Sequence, residues 1–135
     1  MENRNDIIAE KAILGNILLD EDNYDKVAPY FKEEGVIEYE ECKMLWNKLT
    51  ELKSMKTPID LISVCNTLTK EDRLMGLTAD FIVECSETES VEARTEDYAS
   101  QLYEKFLLRK VVDKSKEIQE KASGNFPDVY KNINE

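Results

Sequence analysis

The sequence predicts an all-α fold, a compact helical head over about residues 1–92 followed by a long helix, about 93–135, that starts a helical hairpin. Three observations carry this. Apolar residues recur at three- and four-residue spacing through most of the chain, and no period-two alternation of convincing length competes with them. The chain has only 3 prolines and 4 glycines. None of these helix breakers falls between Glu92 and Ser123.

The elements follow in order. Asn5 or Asp6 is placed to cap a first helix running to about Leu19, with Ile7, Leu14, Ile17 and Leu18 on its inner face. Gly15 inside it costs about 1 kcal/mol relative to alanine, which fits a second helix packing closely there. A short helix from about Asn23 to Ala28 ends near Pro29, and Glu33-Glu34-Gly35 breaks the pattern. The strongest amphipathic signal spans about Tyr39 to Leu52, where Cys42, Leu45, Trp46, Leu49 and Leu52 form one stripe. In register with the leucines, Trp46 reads as a core anchor. Pro58 presses Thr57 toward extended geometry, and Asp60 is placed to cap a helix reaching about Lys70 with Leu61, Val64, Cys65 and Leu68 on one face. Gly76 marks a turn before a short helix begun by Thr78 or Asp80 and carrying Phe81, Ile82 and Cys85.

The segment from about Glu92 to Ser123 is far longer than the average helix of about 12 residues. Tyr98, Leu102 and Phe106 form one stripe. Leu107, Val111 and Ile118 start another, displaced around the axis, and Leu108 with Val112 widens it. An arc this wide needs two things to pack against: either both stripes pack within the chain, through a kink near Phe106 for example, or the first docks on the head and the second meets a partner helix. The second alternative makes Leu107, Leu108, Val111, Val112 and Ile118 candidate subunit-interface residues. Ser123-Gly124-Asn125 reads as a helix end, and Pro127 with Asp128 as the start of a new helix continuing through Val129-Tyr130-Lys131.

Composition excludes several chemistries. With 135 residues, 41% hydrophobic and 35% charged, the chain is expected to form one globular domain with its own core. No apolar run approaches the ~18 residues of a membrane span, and Met1–Asp6 lacks the basic and apolar regions of a signal peptide, so a cytoplasmic location is expected. The net charge of −11 opposes phosphate binding, whose affinity comes largely from neutralising phosphates. Lys105, Arg109, Lys110, Lys114 and Lys116 are interleaved with Glu104, Asp113, Glu117 and Glu120, which reads as a solvated helix face. No strong nucleic-acid binding is expected. There is no histidine, so Ser-His-Asp and Cys-His nucleophiles are excluded. Cys42, Cys65 and Cys85 lack paired spacing and read as small buried hydrophobes, with no metal site. The scattered Gly15, Gly35, Gly76 and Gly124 supply no phosphate-cradling loop. No cofactor and no catalysis are expected from these residues.

Pro58-Ile59-Asp60-Leu61, followed by Ile62-Ser63-Val64, resembles the Pro-Ile-Asp-Leu segment in the N-terminal domain of DnaB-type replicative DNA helicases. The likeness extends over nearly the whole chain. Glu10-Lys11-Ala12-Ile13-Leu14-Gly15-Asn16-Ile17-Leu18-Leu19 is similar to the family's opening helix. Glu96-Asp97-Tyr98-Ala99, Glu104-Lys105 and Leu107-Leu108-Arg109-Lys110 resemble its Tyr-Ala helix and Leu-Leu-Arg continuation. Two departures stand out: Leu77-Thr78-Ala79-Asp80-Phe81 replaces the usual glycine pair, and Glu87-Thr88-Glu89-Ser90-Val91 replaces an asparagine-rich approach to the long helix. They point to a divergent member, of the kind a phage or mobile element carries.

The resemblance implies a non-catalytic module of DNA replication. Its helical hairpin would pair with that of a second subunit, giving a dimer or a trimer of dimers in a hexamer, and its surface would bind primase or a helicase loader within a primosome. ATP hydrolysis would belong to a separate motor domain that these residues do not contain, which leaves either one domain of a longer helicase or a short relative. The alternative from a different class is a stand-alone phage or plasmid regulator that mimics this domain to bind a host replication protein.

Overall fold

The computed structural model describes residues 4–124 and contains seven α-helices and no strand among them. The helices are α1 (Arg4–Leu19), α2 (Asp22–Val27), α3 (Glu40–Ser54), α4 (Leu61–Asn66), α5 (Lys70–Leu74), α6 (Ala79–Ser86) and α7 (Thr95–Gly124), with 3₁₀ turns at Ala28–Tyr30 and Glu92–Arg94. The all-α fold with a long last helix is therefore present. The second hairpin arm expected from Asn125, Pro127 and Asp128–Lys131 lies outside the described residues. The chain divides into two compact units, 1–103 and 104–135.

In the first unit α1 is the hub, packing on α2, α3 and most extensively α6, while α4 also packs on α6. Every residue from Ala12 to Leu18 is buried, so α1 is covered all round for nearly two turns and not along one stripe. Asn5 and Asp6 lie inside α1 and do not cap it; the helix already includes Arg4. A Cβ built on Gly15 would stand 2.0 Å from the carbonyl oxygen of Cys85 and 3.2 Å from the Cα of Ser86. The glycine is where α1 and the end of α6 touch backbone to backbone.

Encircling neighbours force the polar residues of α1 to find partners. Glu10, 2% exposed, accepts hydrogen bonds from the backbone N–H groups of Glu38 (3.1 Å) and Tyr39 (3.1 Å). Tyr39 is the residue before α3, so α1 holds the entry to α3 from a distance of 29 positions in the chain. Replacing Glu10 by alanine strands both donors and is expected to cost about 2 kcal/mol of stability, read as a lower urea midpoint at unchanged slope. A second cluster ties α1 and α2 to the approach to α7. The Asn16 side-chain amide donates to Ser90 Oγ (3.1 Å) and Thr95 Oγ1 (2.9 Å), and the Asn23 amide donates to the Asn16 carbonyl (3.0 Å) and Glu92 Oε1 (3.1 Å). These bonds fix where α7 begins.

Local capping follows the sequence at α4, settles on Thr78 at α6 and overrules it between the two. Asp60 caps α4, accepting from the Ser63 N–H (2.8 Å) and Ser63 Oγ (3.0 Å), and these bonds, the backbone one first, hold its carboxyl below the usual carboxylate range. Thr78 caps α6 by accepting from the Phe81 N–H (3.1 Å). The helix expected from Asp60 to Lys70 is instead two. Thr67 Oγ1 folds back onto the Val64 carbonyl (2.7 Å), and Thr69 with Asp72 forms a reciprocal capping box (3.1 and 2.9 Å) that starts α5. Short polar side chains offered the backbone a better local partner than a continuing helix. Gly76, at φ +105°, makes the turn into α6 that its position predicts.

The core includes Ile13, Leu14, Ile17, Leu45, Leu49, Val64, Leu77 and Ile82, each at most 1% exposed. Trp46 is not one of these anchors. It is half-buried, stacked on Tyr24 (ring centroids 4.8 Å apart) and edge-on to Phe31 (5.0 Å). Phe81 is likewise half-buried. Cys42 and Cys85 are buried and free, and desolvation pushes both thiols up, Cys85 to about 12. Cys65 is only half-buried.

Candidate protein–protein interface

The described part of the second unit is the stretch of α7 from Glu104 to Gly124. Phe106 is buried there, with the Lys110 ammonium 4.8 Å and the Arg109 guanidinium 5.8 Å from its ring centre. Beyond it the exposure changes abruptly. Every residue from Lys110 to Ser123 is exposed. Leu108, Val111 and Ile118 are each more than 60% exposed, Val112 is 50% and Leu107 is 41%.

These five side chains share one face of the helix. At 100° per residue, Leu107, Ile118 and Val111 fall within about 40° of one another, with Leu108 and Val112 further round the same side. Leu108, Val111, Ser115, Ile118 and Ala122 follow the alternating three- and four-residue spacing of a coiled-coil seam, flanked by Leu107 and Val112. Ser115 fits this seam because its hydroxyl already donates to the Val111 carbonyl (2.9 Å), leaving a small surface where a second helix can approach. Glu117 lies away from the seam and pairs with Lys114 (3.6 Å) and Lys121 (4.0 Å).

Exposed i,i+3 and i,i+4 pairs of this kind contribute only about 0.3–0.5 kcal/mol each. Most helical stability in proteins comes instead from packing an apolar face. The arm therefore carries a packing face without a covering element among the described residues, a contiguous patch of the type that marks interaction sites.

The residues of the helicase-like motifs have other placements. Pro58 is exposed, Ile59 is a core residue at 4% exposure, Asp60 is the exposed cap of α4, and Leu61 is half-buried at its first turn. Tyr98 is half-buried, its hydroxyl accepting from the Val91 N–H (3.0 Å), and Ala99 is fully buried. Arg109 is half-buried on the arm. Pro58–Leu61, Tyr98 and Ala99 thus belong to the first unit, and Arg109 shares the second with the five interface candidates.

Charge separates the units as well. Residues 1–103 carry 23 acidic against 11 basic side chains, and residues 104–135 carry 6 against 7. Among the described residues no cluster suited to a metal ion occurs, and no helix is long and apolar enough to cross a membrane.

Sequence reasoning missed Glu10, Asn16 and Asn23 as organising residues. The available signal was a carboxyl and an amide set into the apolar stretch of α1, where a solvated polar side chain has no room.

The profile of the DnaB-like helicase N terminal domain family matches residues 2–104, ending where the exposed arm begins. The crystal structure of the N-terminal domain of DnaB helicase from Mycobacterium tuberculosis is similar to the chain, with a TM-score of 0.77 and 23% identity over 93% of this chain and 91% of that one. At that identity the likeness is one of fold. No curated protein matches the chain.

Proposed function

The chain belongs to the family of DnaB-like helicase N-terminal domains, and from that premise we propose that it is a non-catalytic oligomerisation and interaction module of a replicative helicase in the cytoplasm. The observation that carries this is the exposed seam of α7. Leu107, Leu108, Val111, Val112 and Ile118 line one helix face at the spacing that a second helix fills. The occupant is the same face of a second copy, the arrangement that a helical hairpin in this family implies. Each aliphatic side chain contributes at most about 1.5–3 kcal/mol on burial, set against about 4–15 kcal/mol of lost rigid-body freedom, so pairing of isolated chains is modest and reinforced in a ring. The head is then free to meet primase or a loader, and its acidic surface keeps it off DNA. Strand separation and ATP hydrolysis reside in a motor outside these residues.

Sedimentation velocity from micromolar to millimolar chain concentration tests the reading. The weight-average sedimentation coefficient is expected to rise toward that of a dimer or larger assembly. A chain that stays monomeric throughout rules the pairing out.

A further inference from the structure

The loop between α2 and α3 borders an open cleft of about 230 Å³, lined by Phe31, Ile37 and Trp46 and by Lys32, Glu33, Glu34 and Lys43. The rings of its floor pack against one another. Trp46 is clamped by Tyr24 and Phe31 as described above, and Tyr24 is itself pinned by its hydroxyl donating to Thr50 Oγ1 (3.1 Å) and by the Lys53 ammonium 5.7 Å from its ring centre. No hydrogen bond from the Trp46 indole N–H is made among the described residues, and that atom is not sealed from solvent. Half-exposed, held in place and with a free donor, this tryptophan has the properties of an interface anchor and not of core filler.

We propose that the cleft receives a single aromatic side chain from a peptide segment of a partner protein, flanked in that segment by Lys or Arg. Size limits the occupant: small-molecule sites are typically about 300–1,000 Å³, whereas this volume suits one large side chain. The apolar floor selects an aromatic anchor, and the indole N–H donates to a main-chain carbonyl of the bound segment. Charge selects the flanks. The cleft's own lining is balanced, Glu33 and Glu34 against Lys32 and Lys43, with Lys43 3.7 Å from Glu40, and the sign comes from the surface around it: between Lys32 and Asn47 the chain has five acids and two bases. The surrounding unit, with 23 acids and 11 bases, extends the same sign and favours encounter with a basic segment. The cleft lies wholly between Phe31 and Asn47, so this inference holds whether or not the arm pairs.

Because Trp46 is the only tryptophan, its fluorescence reports occupancy directly. The probes are three blocked synthetic peptides: Gly-Lys-Lys-Phe-Lys-Lys-Gly, its alanine analogue with Ala in place of Phe, and its acidic analogue with Glu in place of every Lys. The basic phenylalanine peptide is expected to give a saturable change in emission, and the other two to bind at least about tenfold more weakly. Asn47→Phe places a ring at the mouth from an exposed helix position and is expected to abolish the change while circular dichroism stays that of the parent. Glu34→Lys is expected to weaken the basic peptide several-fold in calorimetry. No saturable change up to millimolar basic peptide, equal binding of the acidic analogue, or undiminished binding by Asn47→Phe overturns the proposal. So does loss of self-association in Asn47→Phe, which would make the occupant a second copy. Running the titration on Val111→Glu as well keeps this outcome separate from that of the arm.

Discussion

Val111→Glu is expected to weaken self-association at least about 100-fold. The side chain is 61% exposed and lies in the middle of the seam, one turn from Leu107 and Leu108 and two from Ile118. A carboxylate there must be desolvated against the partner's apolar face without a compensating cation, and an unpaired buried charge costs several kcal/mol, of which about 2.7 kcal/mol already gives the stated factor. In the monomer the same position faces water, so folding stability is expected to change by no more than about 0.5 kcal/mol. Sedimentation velocity of variant and parent reads the association, and circular dichroism with Trp46 emission reads the fold. Asp113→Asn, away from the seam, serves as the control and is expected to associate like the parent. A variant that associates as tightly as the parent, or one whose head unfolds, would mean that Val111 is not at a subunit contact.

Gly15→Ala is the substitution with the largest expected effect on the head. Helix propensity alone favours alanine by about 1 kcal/mol. Packing reverses the sign, because the added methyl would lie 2.0 Å from the Cys85 carbonyl oxygen, 2.7 Å from the Cys85 carbonyl carbon and 3.2 Å from the Ser86 Cα. All three are backbone atoms that no rotamer change can move. Relief requires α1 and α6 to separate, and α1 is buried all round from Ala12 to Leu18, so the disturbance spreads to the other helices packed on it. A loss of about 3 kcal/mol is expected, at the upper end for overpacked cores. Urea denaturation followed by Trp46 fluorescence measures it. A midpoint equal to or above that of the parent would show that the two helices do not meet at Gly15 in solution.

The two substitutions mark the line between what could be read along the chain and what could not. Amphipathic stripes, caps and breakers are interactions within about four residues, so the sequence by itself determined the α-helical class, the Cys42–Leu52 stripe of α3, the Asp60 cap, the turn at Gly76 and the length of α7, while it left the cap of α6 open between Thr78 and Asp80 and a kink near Phe106 open in α7. It also singled out Leu107, Leu108, Val111, Val112 and Ile118 as a second apolar stripe, and all five are exposed in the structure. Only the tertiary structure decided which surfaces of each element are covered. The encirclement of α1, the pairing of Glu10 with the entry to α3, and the tie from Asn16 to Thr95 across 79 positions depend on neighbours remote in the chain. Such polar residues look unfavourable in a helix pattern until their partners are known. The split between α4 and α5 turned on a capping box strong enough to interrupt an otherwise helical pattern. Trp46 shared the period of its leucines, and its position at the rim of a cleft was decided by Tyr24, Phe31 and the loop that follows them. Periodicity assigns a side chain to a face, while the packing of distant segments decides whether that face is sealed, open or waiting for a partner.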